Sequence, residues 1–343
     1  MMMNSSSGIF AAWDIGGTKC ASIIGYMDEE NYKILGKKKF FTSQCSTPDE
    51  VINRLAEDTL ELKRSCNVEV LALGISCGGP LDAGKGIVMS PPNLPGWDDI
   101  PICRRAEEKT GIPAFLENDA NAGAIAEWRY GAGRGTQNMI FLTFGTGLGS
   151  GVIIDGNLLY GTSGNAGELG HIRLAEDGPV GYGKAGSFEG FCSGSGLARQ
   201  MKDFASRRLA EGNPVGWAKD EESISSLDAK KLGELAASGD PDAIKIFEHC
   251  GTMLGKGLAI AVDLFNPQKI VIGSIFVRSE EFLRPAMQKT LENEALSINC
   301  RDVEVAAALL GESAGDVAAL CAARENYMKG RKNEYTETAF SQT

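Results

Sequence analysis

Apolar and polar positions in the first third of the chain predict a sheet followed by a helix. Short apolar runs separated by turns predict strands, and the continuous apolar run before Gly78 and Gly79 is typical of a buried strand. A helix is expected to begin at Thr47, which is a favourable capping residue. The predicted strands are Ile9–Ile15, Cys20–Tyr26, Tyr32–Phe41, Val68–Ile75 and Pro113–Leu116, and a helix is predicted at Ala120–Tyr130.

A second strand, glycine turn and strand follow about 130 residues after the first, and the chain then becomes mainly helical. The repeat predicts two similar α/β lobes, each presenting a glycine turn to one cleft. The predicted strands are Asn138–Phe144, Gly151–Ile154, Lys269–Ile272 and Val303–Ala308, and the predicted helices are Gly196–Ala210, Ala229–Ala237, Pro241–Phe265 and Ala314–Tyr327.

The domain organisation expected from this repeat is a small lobe and a large lobe. Residues 1–120 would form the small α/β lobe, completed by a C-terminal helix at about 314–328. Residues 121–313 would form the large α/β lobe. The polar segment 329–343 is expected to be a disordered tail.

Composition excludes several function classes. The chain of 343 residues has a net charge of −11, which argues against nucleic-acid binding because phosphate contacts need clustered Lys and Arg. No apolar run approaches the ~20 residues that span a membrane, and the N-terminus lacks the pattern of a signal peptide. The nine cysteines have no framework spacing, so we expect reduced thiols and a cytoplasmic location.

The first glycine turn, Asp14-Ile-Gly16-Gly17-Thr18-Lys19, has the composition of a phosphate-binding loop. Paired glycines let backbone N–H groups face an anion, and Thr18 adds a hydroxyl donor. Asp14 offers a carboxylate to a hydrated Mg²⁺. The alternative is a plain hairpin turn.

The second glycine turn contains Gly145, Thr146 and Gly147. A dinucleotide-binding fingerprint needs a helix after its glycines, whereas a strand is predicted here, so that site is rejected. The repeat favours a second phosphate loop, and a plain hairpin remains the alternative. Gly273, at the end of a predicted strand, is expected to border the same cleft.

Asn118 and Asp119 lie between a predicted strand and a predicted helix. A carboxylate held there can accept the proton of a substrate hydroxyl that attacks phosphorus, as aspartates do in phosphoryl transfer. The alternative is that these residues only cap the helix.

Other polar and glycine residues are candidates for ligand binding. Asn93, in a proline-rich loop, could recognise hydroxyls or only form a turn over the core. His171, three residues after Glu168, is interpreted as a polyol-binding residue rather than a core histidine. The glycines of the long helix, Gly251, Gly255 and Gly257, allow close approach either of a nucleotide base or of another helix.

Taken in order, these motifs resemble those of the ROK family of sugar kinases, which are similar to bacterial glucokinases. The resemblance covers roughly residues 8–328 and rests on the ordered set of motifs rather than on any one of them. The matching segments are Asp14–Lys19, Gly78–Pro80, Asn93–Trp97, Glu117–Asn121, Gly145–Gly147, Glu168–His171 and Ile270–Gly273.

The resemblance implies a two-lobed α/β, actin-like ATPase (ribonuclease H-like) fold with a cleft between the lobes. It implies ATP and Mg²⁺, phosphorylation of a hexose at its terminal hydroxyl, Asp119 as the base, and a homodimer. Sugar would be bound by Gly79, Asn93, Asn118, Glu168, His171 and Glu189. Nucleotide and metal would be handled by Asp14, Gly16, Gly17, Thr18, Lys19, Gly145, Thr146, Gly147 and Gly273.

One departure from the family concerns zinc. The family has Glu-x-Gly-His followed by Cys-x-Cys-Gly-x-x-Gly-Cys-x-Glu, whose histidine and cysteines hold a structural zinc. Here Val180, Tyr182 and Ser187 stand at the cysteine positions. No structural zinc is therefore expected, and packing of Val180, Tyr182 and Phe188 is expected to brace the loop instead.

The function expected from the resemblance is an ATP-dependent hexose kinase, with glucose as the first choice of substrate. N-acetylmannosamine or another N-acetylhexosamine, allose and fructose are alternatives. The family also contains repressors, whose DNA-binding module would need more than the thirteen residues before Asp14. A non-catalytic sugar sensor on the same fold is thus the alternative of another class.

Overall fold

A computed structural model describes residues 7–340, with side chains described up to Gly330. The strands are β1 (Gly8–Ile15), β2 (Lys19–Met27), β3 (Tyr32–Phe41), β4 (Leu73–Cys77), β5 (Leu81–Asp82), β6 (Ile87–Val88), β7 (Ala114–Asn118), β8 (Met139–Leu142), β9 (Ser150–Ile154), β10 (Asn157–Leu158), β11 (Val180–Gly181), β12 (Lys184–Ala185), β13 (Lys269–Ile272) and β14 (Glu304–Ala307). The helices are α1 (Pro48–Cys66), α2 (Ile102–Thr110), α3 (Asp119–Tyr130), α4 (Phe188–Phe191), α5 (Gly194–Ala210), α6 (Glu221–Ser225), α7 (Ala229–Ala237), α8 (Pro241–Phe265), α9 (Ile275–Glu294), α10 (Ser297–Asp302) and α11 (Ala314–Phe340).

The chain forms two compact units. Unit 1 holds the chain up to Gly135, the short segment Tyr160–Ala166 and the chain from Leu310 onward, and unit 2 holds Thr136–Leu159 and Gly167–Leu309. Helix α3 therefore belongs to unit 1, whereas the sequence analysis placed residues 121–135 in the large lobe. The reason is tertiary, because α3 packs against the C-terminal helix α11.

Unit 1 is built on a five-stranded sheet, within the described residues, in the order β3-β2-β1-β4-β7. β1 pairs antiparallel with β2 and parallel with β4, and β4 pairs parallel with β7. The parallel strands β1, β4 and β7 therefore end at the same edge of the sheet. This topology positions the site, because ligands of α/β sheets bind at the carboxyl ends of parallel strands.

Helix α11 covers the unit 1 sheet at very short range. A Cβ at Gly74 would clash with the carbonyl oxygen of Ala319, so the glycine lets the helix approach β4. The run Val317–Ala323 is buried. This helix continues to Phe340, past the end expected near residue 328, and the last three residues of the expected tail, 341–343, lie outside the described residues.

Unit 2 contains, among its described residues, a second five-stranded sheet in the order β10-β9-β8-β13-β14. β8 pairs antiparallel with β9 and parallel with β13, which pairs parallel with β14. Against this sheet pack the helices α8 and α9, which make the most extensive helix contact. Most of the buried residues of this unit belong to these elements.

Two glycines of α8, Gly251 and Gly255, serve helix packing, which is one of the two alternatives left open above. A Cβ at Gly251 would lie 2.5 Å from the carbonyl oxygen of Leu283, and one at Gly255 would lie 2.5 Å from that of Met287. Both carbonyls belong to α9, so the small residues let the two helices touch backbone to backbone.

Helix α9 itself was not predicted from the sequence. Pro285 lies inside it, and Ser279 has non-helical backbone angles where two helical segments join. Both features interrupt a regular helical pattern, since proline disfavours a helix interior. Among the described residues, none of the helices has the length and apolar character needed to cross a membrane.

Candidate active site

The carboxyl ends of β1, β4 and β7 bring three of the predicted motifs together in unit 1. In the sheet register, Asp14 lies opposite Ser76, and Cys77 lies opposite Asn118. The residues that follow are the first glycine turn, the Gly78–Gly79 pair and Asp119. Sites about 40 to 105 residues apart in the sequence thus become neighbours at one sheet edge.

The first glycine turn packs against the proline-rich loop that carries Asn93. The turn is closed by a hydrogen bond from the Gly16 N–H to the Lys19 carbonyl at 3.0 Å. A Cβ at Gly17 would clash with the carbonyl oxygen of Asn93. Glycine is therefore required at this position by close packing, and the predicted nucleotide turn and the predicted sugar residue Asn93 are in contact.

Two further residues of this turn, Thr18 and Lys19, are exposed. The Lys19 ammonium lies 5.5 Å from the centre of the Phe41 ring, in a cation–π contact. Thr42, next to Phe41, donates its hydroxyl hydrogen to the Gly16 carbonyl at 2.7 Å. The end of β3 thus supports the turn from the side.

Asp14 is a half-buried carboxylate in a negative environment. Its pKa is raised to about 6, first by burial and then by the carboxylates of Asp316 and Asp119, while Lys37 acts in the opposite direction. Among the described residues, no group donates a hydrogen bond to it. Its carboxylate packs on Gly315, where a Cβ would lie 2.7 Å from Oδ2.

This arrangement fits a bound cation. Oxygen ligands are what Mg²⁺ prefers, commonly one or two carboxylates together with water. A cation near Asp14 would also relieve the repulsion that raises its pKa. Sequence reasoning missed Asp316, which is buried and forms an ion pair with Lys37 at 2.6 Å. The available signal was one acidic residue at the start of the apolar run Val317–Ala323.

The side chains of Asn118 and Asp119 both accept backbone hydrogen bonds at the start of α3. The Asn118 Oδ1 accepts hydrogen bonds from the N–H groups of Ala120 at 2.9 Å and Asn121 at 3.3 Å, so Asn118 is the N-cap. Asp119 accepts the Ala120 N–H at 2.8 Å through Oδ1. Capping and a chemical role for Asp119 are therefore compatible, because the helix already has its cap in Asn118.

Asp119 is exposed, yet the protein atoms around its carboxyl raise its pKa, against a lowering by its hydrogen bond to the Ala120 N–H. Gly78 lies beside this carboxylate, where a Cβ would be 3.8 Å from Asp119 Oδ2, an ordinary contact distance. Gly79 lies beside the amide of Asn118, where a Cβ would be 3.5 Å from Nδ2.

In unit 2, the second glycine turn joins β8 to β9 and is held by its own backbone. The Gly145 N–H donates to the Gly147 carbonyl at 2.9 Å. The start of α5 adds two bonds, from the Gly194 N–H to the Gly145 carbonyl at 2.7 Å and from Ser195 to Thr146 at 3.1 Å. Gly273, at the end of β13, is buried.

Two of the predicted sugar-binding segments pack on this second turn. The carboxylate of Glu189 accepts the Leu148 N–H at 3.0 Å, and a Cβ at Gly147 would lie 2.7 Å from the same oxygen. A Cβ at Gly170 would clash with the Leu148 carbonyl. The predicted phosphate turn and the segment between Glu168 and Glu189 are thus in direct contact within unit 2.

Glu168 and His171 are both exposed; Glu168 precedes a short 3₁₀ helix, Leu169–His171, and His171 ends it. The His171 ring makes an edge-to-face contact with Tyr182, with ring centres 6.1 Å apart. The carbonyl of His171 accepts a hydrogen bond from the Lys184 ammonium at 2.7 Å. His171 is therefore a surface residue and not a core histidine.

The hairpin β11–β12 is braced differently from the expectation. Val180 and Tyr182 are exposed, so the predicted apolar packing by these two residues is wrong, and only Phe188 is buried. The buried Ser187 hydroxyl instead joins the Gly181 carbonyl to the Gly190 N–H. Cationic side chains bind the carbonyls of the same segment: Arg173 binds Ala185, Lys184 binds His171 and Arg199 binds Val180.

No group of three or more His, Cys, Asp and Glu side chains suited to a metal is found within the described part of the chain. The expected absence of a structural zinc remains a prediction for measurement. The hydrogen bonds that hold the hairpin join hydroxyl and cationic side chains to backbone groups, and they need no metal ion.

The sequence model of the ROK family matches residues 10–326. The chain belongs to the ROK family. A glucokinase of Streptomyces coelicolor is 34% identical over 93% of this chain and 98% of its own length.

Two solved structures are similar throughout. A ROK hexokinase from Thermus thermophilus is 31% identical with a TM-score of 0.75, over 95% of this chain and 99% of its own. A ROK family glucokinase from Streptomyces griseus, in complex with glucose and AMPPNP, is 33% identical with a TM-score of 0.73, over 93% of this chain and all of its own. The predicted family and the α/β, actin-like ATPase fold are confirmed.

Proposed function

We propose that this protein is an ATP-dependent sugar kinase that phosphorylates the terminal hydroxyl of a hexose, with glucose as the favoured substrate. The observation that carries the proposal is made at the junction of β7 and α3. Asp119 is exposed there, and its carboxylate is near enough to Asp14 to raise the pKa of that residue. Similarity to glucokinases over nearly the whole chain supports glucose as the first choice.

Backbone groups of the two glycine turns are the proposed nucleotide contacts. In unit 1 these belong to Gly16, Gly17 and Thr18, with Lys19 nearby, and in unit 2 to Gly145, Thr146, Gly147 and Gly273. N–H groups of such turns bind phosphate oxygens without a side chain in the way, and here the donors would be those of Gly17, Thr18, Thr146 and Gly147. The N–H groups of Gly16, Gly145 and Gly273 donate to carbonyls within the fold, so these glycines would contribute by leaving space for the phosphates. Asp14 would hold Mg²⁺, which supplies positive charge to the phosphates when bound.

Asp119 is the proposed general base. The terminal hydroxyl of the sugar would donate its proton to the Asp119 carboxylate while its oxygen attacks the γ-phosphorus. A new O–P bond forms, the bond from phosphorus to the bridging oxygen breaks, and ADP leaves. Because α3 is capped by Asn118, the base stands on a rigid element, which is what positioning of a reacting group requires.

The sugar would be bound by polar groups on loops beside the two turns. These are Asn93 and Asn118 with the backbone of Gly79 in unit 1, and Glu168, His171 and Glu189 in unit 2. Carboxylates and amides discriminate hydroxyls well, because a buried polar group left unpaired is costly. Glu189 would have two roles, sugar binding and support of the second turn, since its carboxylate also accepts the Leu148 N–H.

The cellular setting follows from the chemistry of the substrates. ATP is a cytoplasmic metabolite, and all nine cysteines are free thiols, as in a reducing compartment. A homodimer, the family default, belongs to the same proposal.

The decisive experiment measures ATP-dependent phosphorylation of a panel of sugars by the purified protein. The panel contains glucose, mannose, allose, fructose, N-acetylglucosamine and N-acetylmannosamine, with Asp119→Asn as the inactive control. We expect the highest kcat/KM with glucose. A better N-acetylhexosamine would revise the substrate, whereas binding of sugar and nucleotide without any turnover would overturn the kinase and leave a sugar sensor.

A further inference from the structure

A buried carboxylate stands directly before the proposed base and is not used by the proposed reaction. Glu117, the penultimate residue of β7, is 1% exposed. Its Oε2 accepts the hydroxyl hydrogen of Tyr160 at 2.8 Å. Its Oε1 accepts the side-chain amide of Asn121 at 3.1 Å and the backbone N–H of Asn118 at 3.1 Å.

The two bonds to Oε1 hold both ends of the turn that carries Asp119. Asn118 is the N-cap of α3, and Asn121 lies in the first turn of the helix. Asp119 lies between them. Glu117 therefore joins the cap to the first turn through a single oxygen atom, and any shift of Glu117 would be passed to the backbone on either side of Asp119.

Tyr160 holds the other oxygen from a separate part of the chain. Its segment, Tyr160–Ala166, belongs to unit 1, although the residues before and after it belong to unit 2. The Tyr160 hydroxyl also lies 3.3 Å from the ammonium of Lys329, which stands 4.8 Å from the centre of the tyrosine ring. The chain thus returns to unit 1 at Tyr160, whose hydroxyl forms hydrogen bonds with both Glu117 and Lys329.

Burying the polar groups of this network costs free energy unless each of them makes its hydrogen bonds. Burial raises the pKa of Glu117, and the bonds from Tyr160, Asn121 and Asn118 act in the opposite direction by favouring the charged form. Losing one donor leaves a buried acceptor unpaired, which the surrounding backbone can relieve only by moving. The backbone next to Glu117 is the segment that carries the proposed base.

We propose that Glu117, held in place by Tyr160, is a positioning residue that orients Asn118 and Asp119 for phosphoryl transfer. The inference rests on the proposed function, since it needs a turnover to act on. Glu117 does not touch the reacting atoms in this account. It acts through the backbone and the first turn of α3.

The test compares Tyr160→Phe and Glu117→Gln with a matched control on the same helix. Glu127 is 2% exposed near the end of α3, and its carboxylate accepts the N–H groups of Ala132 at 2.8 Å and Leu310 at 3.0 Å. Glu127→Gln therefore alters an equally buried carboxylate of the same type, away from Asp119. The measurements are kcat, the KM for the sugar, the Kd for AMPPNP and the melting temperature.

For Tyr160→Phe we expect kcat to fall about ten-fold or more, because small displacements of a catalytic group can cost up to ~10²-fold. The KM for sugar and the Kd for AMPPNP should stay within about two-fold, since the lost hydrogen bond to Glu117 acts only through the position of the base. Glu117→Gln, which retains an acceptor oxygen for Asn118, should show the same split with a smaller loss. Glu127→Gln should lower the melting temperature without lowering kcat.

Two results would overturn the inference while leaving the kinase intact. One is a Tyr160→Phe variant with the kcat of the wild type. The other is an equal loss of kcat in Glu127→Gln, which would make Glu117 an ordinary structural residue. An inactive wild type would be a different failure, since it removes the proposed function itself.

Discussion

The two glycine turns have the same strand–turn–strand context but different chemical surroundings. The turn in unit 1 follows Asp14, whose carboxylate receives no hydrogen bond from the described residues and is repelled by Asp316 and Asp119. The turn in unit 2 has a carboxylate too, but Glu189 already accepts the Leu148 N–H. The same backbone motif thus stands beside an unpaired carboxylate in one unit and a paired one in the other.

The comparison separates two uses of a carboxylate next to a phosphate loop. An unpaired carboxylate in a negative environment is suited to a cation, because a cation removes the repulsion. A carboxylate that accepts a backbone N–H instead stabilises the turn itself. We therefore expect the variants of unit 1 to change chemistry and metal use, and the Glu189 variant of unit 2 to change the shape of the nucleotide loop.

The largest effect is expected from Asp119→Asn, which tests whether the chemistry belongs to unit 1. Positioned acid–base catalysis typically increases a rate by ~10²–10⁴-fold, so kcat should fall by ~10²-fold or more. The Kd for AMPPNP should not change, because the asparagine keeps the size of the side chain and the glycine turns are untouched. Single-turnover assays and nucleotide titration measure the two quantities, and near-native turnover would remove Asp119 from the base role.

A smaller effect is expected when Glu189 is changed to Gln, which tests the role assigned to the second turn. Loss of the charge-assisted bond to Leu148 should raise the Kd for AMPPNP about ten-fold even without sugar, as expected for a bond to a charged group. The matched variant is Glu168→Gln, which should raise the KM for sugar about ten-fold and leave the nucleotide Kd unchanged. If both variants changed only the sugar KM, Glu189 would be a sugar ligand alone.

The next effect concerns stability and pH at Asp14. Its folded pKa of about 6 lies above its ordinary value of 3.8, so the folded chain holds the proton more tightly than the unfolded chain. Stability is therefore lost as pH rises from about 4 to about 6. Asp14→Asn should remove this loss and melt several degrees above the wild type at neutral pH, with no gain at low pH.

The melting curves for Asp14→Asn are recorded without metal or nucleotide, and Asp302→Asn, at an exposed position, is the control. An equal gain at low and neutral pH would contradict the electrostatic explanation. Added Mg²⁺ should stabilise the wild type more than Asp14→Asn, which distinguishes a cation-binding carboxylate from a merely strained one.

The smallest expected effect is that of a strong chelator, which should leave the melting temperature unchanged. The hairpin β11–β12 is held by Ser187 and by cationic side chains on carbonyls, none of which depends on a metal. The check is elemental analysis of protein prepared without added zinc, together with melting in chelator. About one zinc per chain would contradict it, since a structural zinc contributes ~10–16 kcal/mol in apparent binding energy.

Sequence patterns predicted regular elements well where the local signal was regular. The strand Tyr32–Phe41 and the helices Ala229–Ala237 and Pro241–Phe265 have the predicted bounds. The helix α9 was missed because Pro285 and the kink at Ser279 break its periodicity. The strand expected from Val68 begins only at Leu73, because an apolar run marks burial and does not by itself specify pairing.

The same distinction applies to the candidate site. Asp14, Asn118 and Asp119 were found from the sequence, because their residue types occur in recognisable local motifs. Asp316, which raises the pKa of Asp14, and Tyr160, which binds Glu117, were not found, since they are far away in the chain and belong to no motif shared with these residues. Packing of Val180 and Tyr182 was wrongly predicted, because apolar character does not say whether a neighbour exists to cover the side chain.

The sequence by itself determined the two glycine turns, the family and the residue that we propose as the base, since each depends on short segments whose chemistry is local. Only the tertiary structure decided which carboxylates are paired. Pairing depends on distances between residues such as Glu189 and Leu148, or Lys37 and Asp316, which are set by the sheet order and the packing of α11. The electrostatics of this protein therefore follow from its fold, because charges act through space and not along the chain.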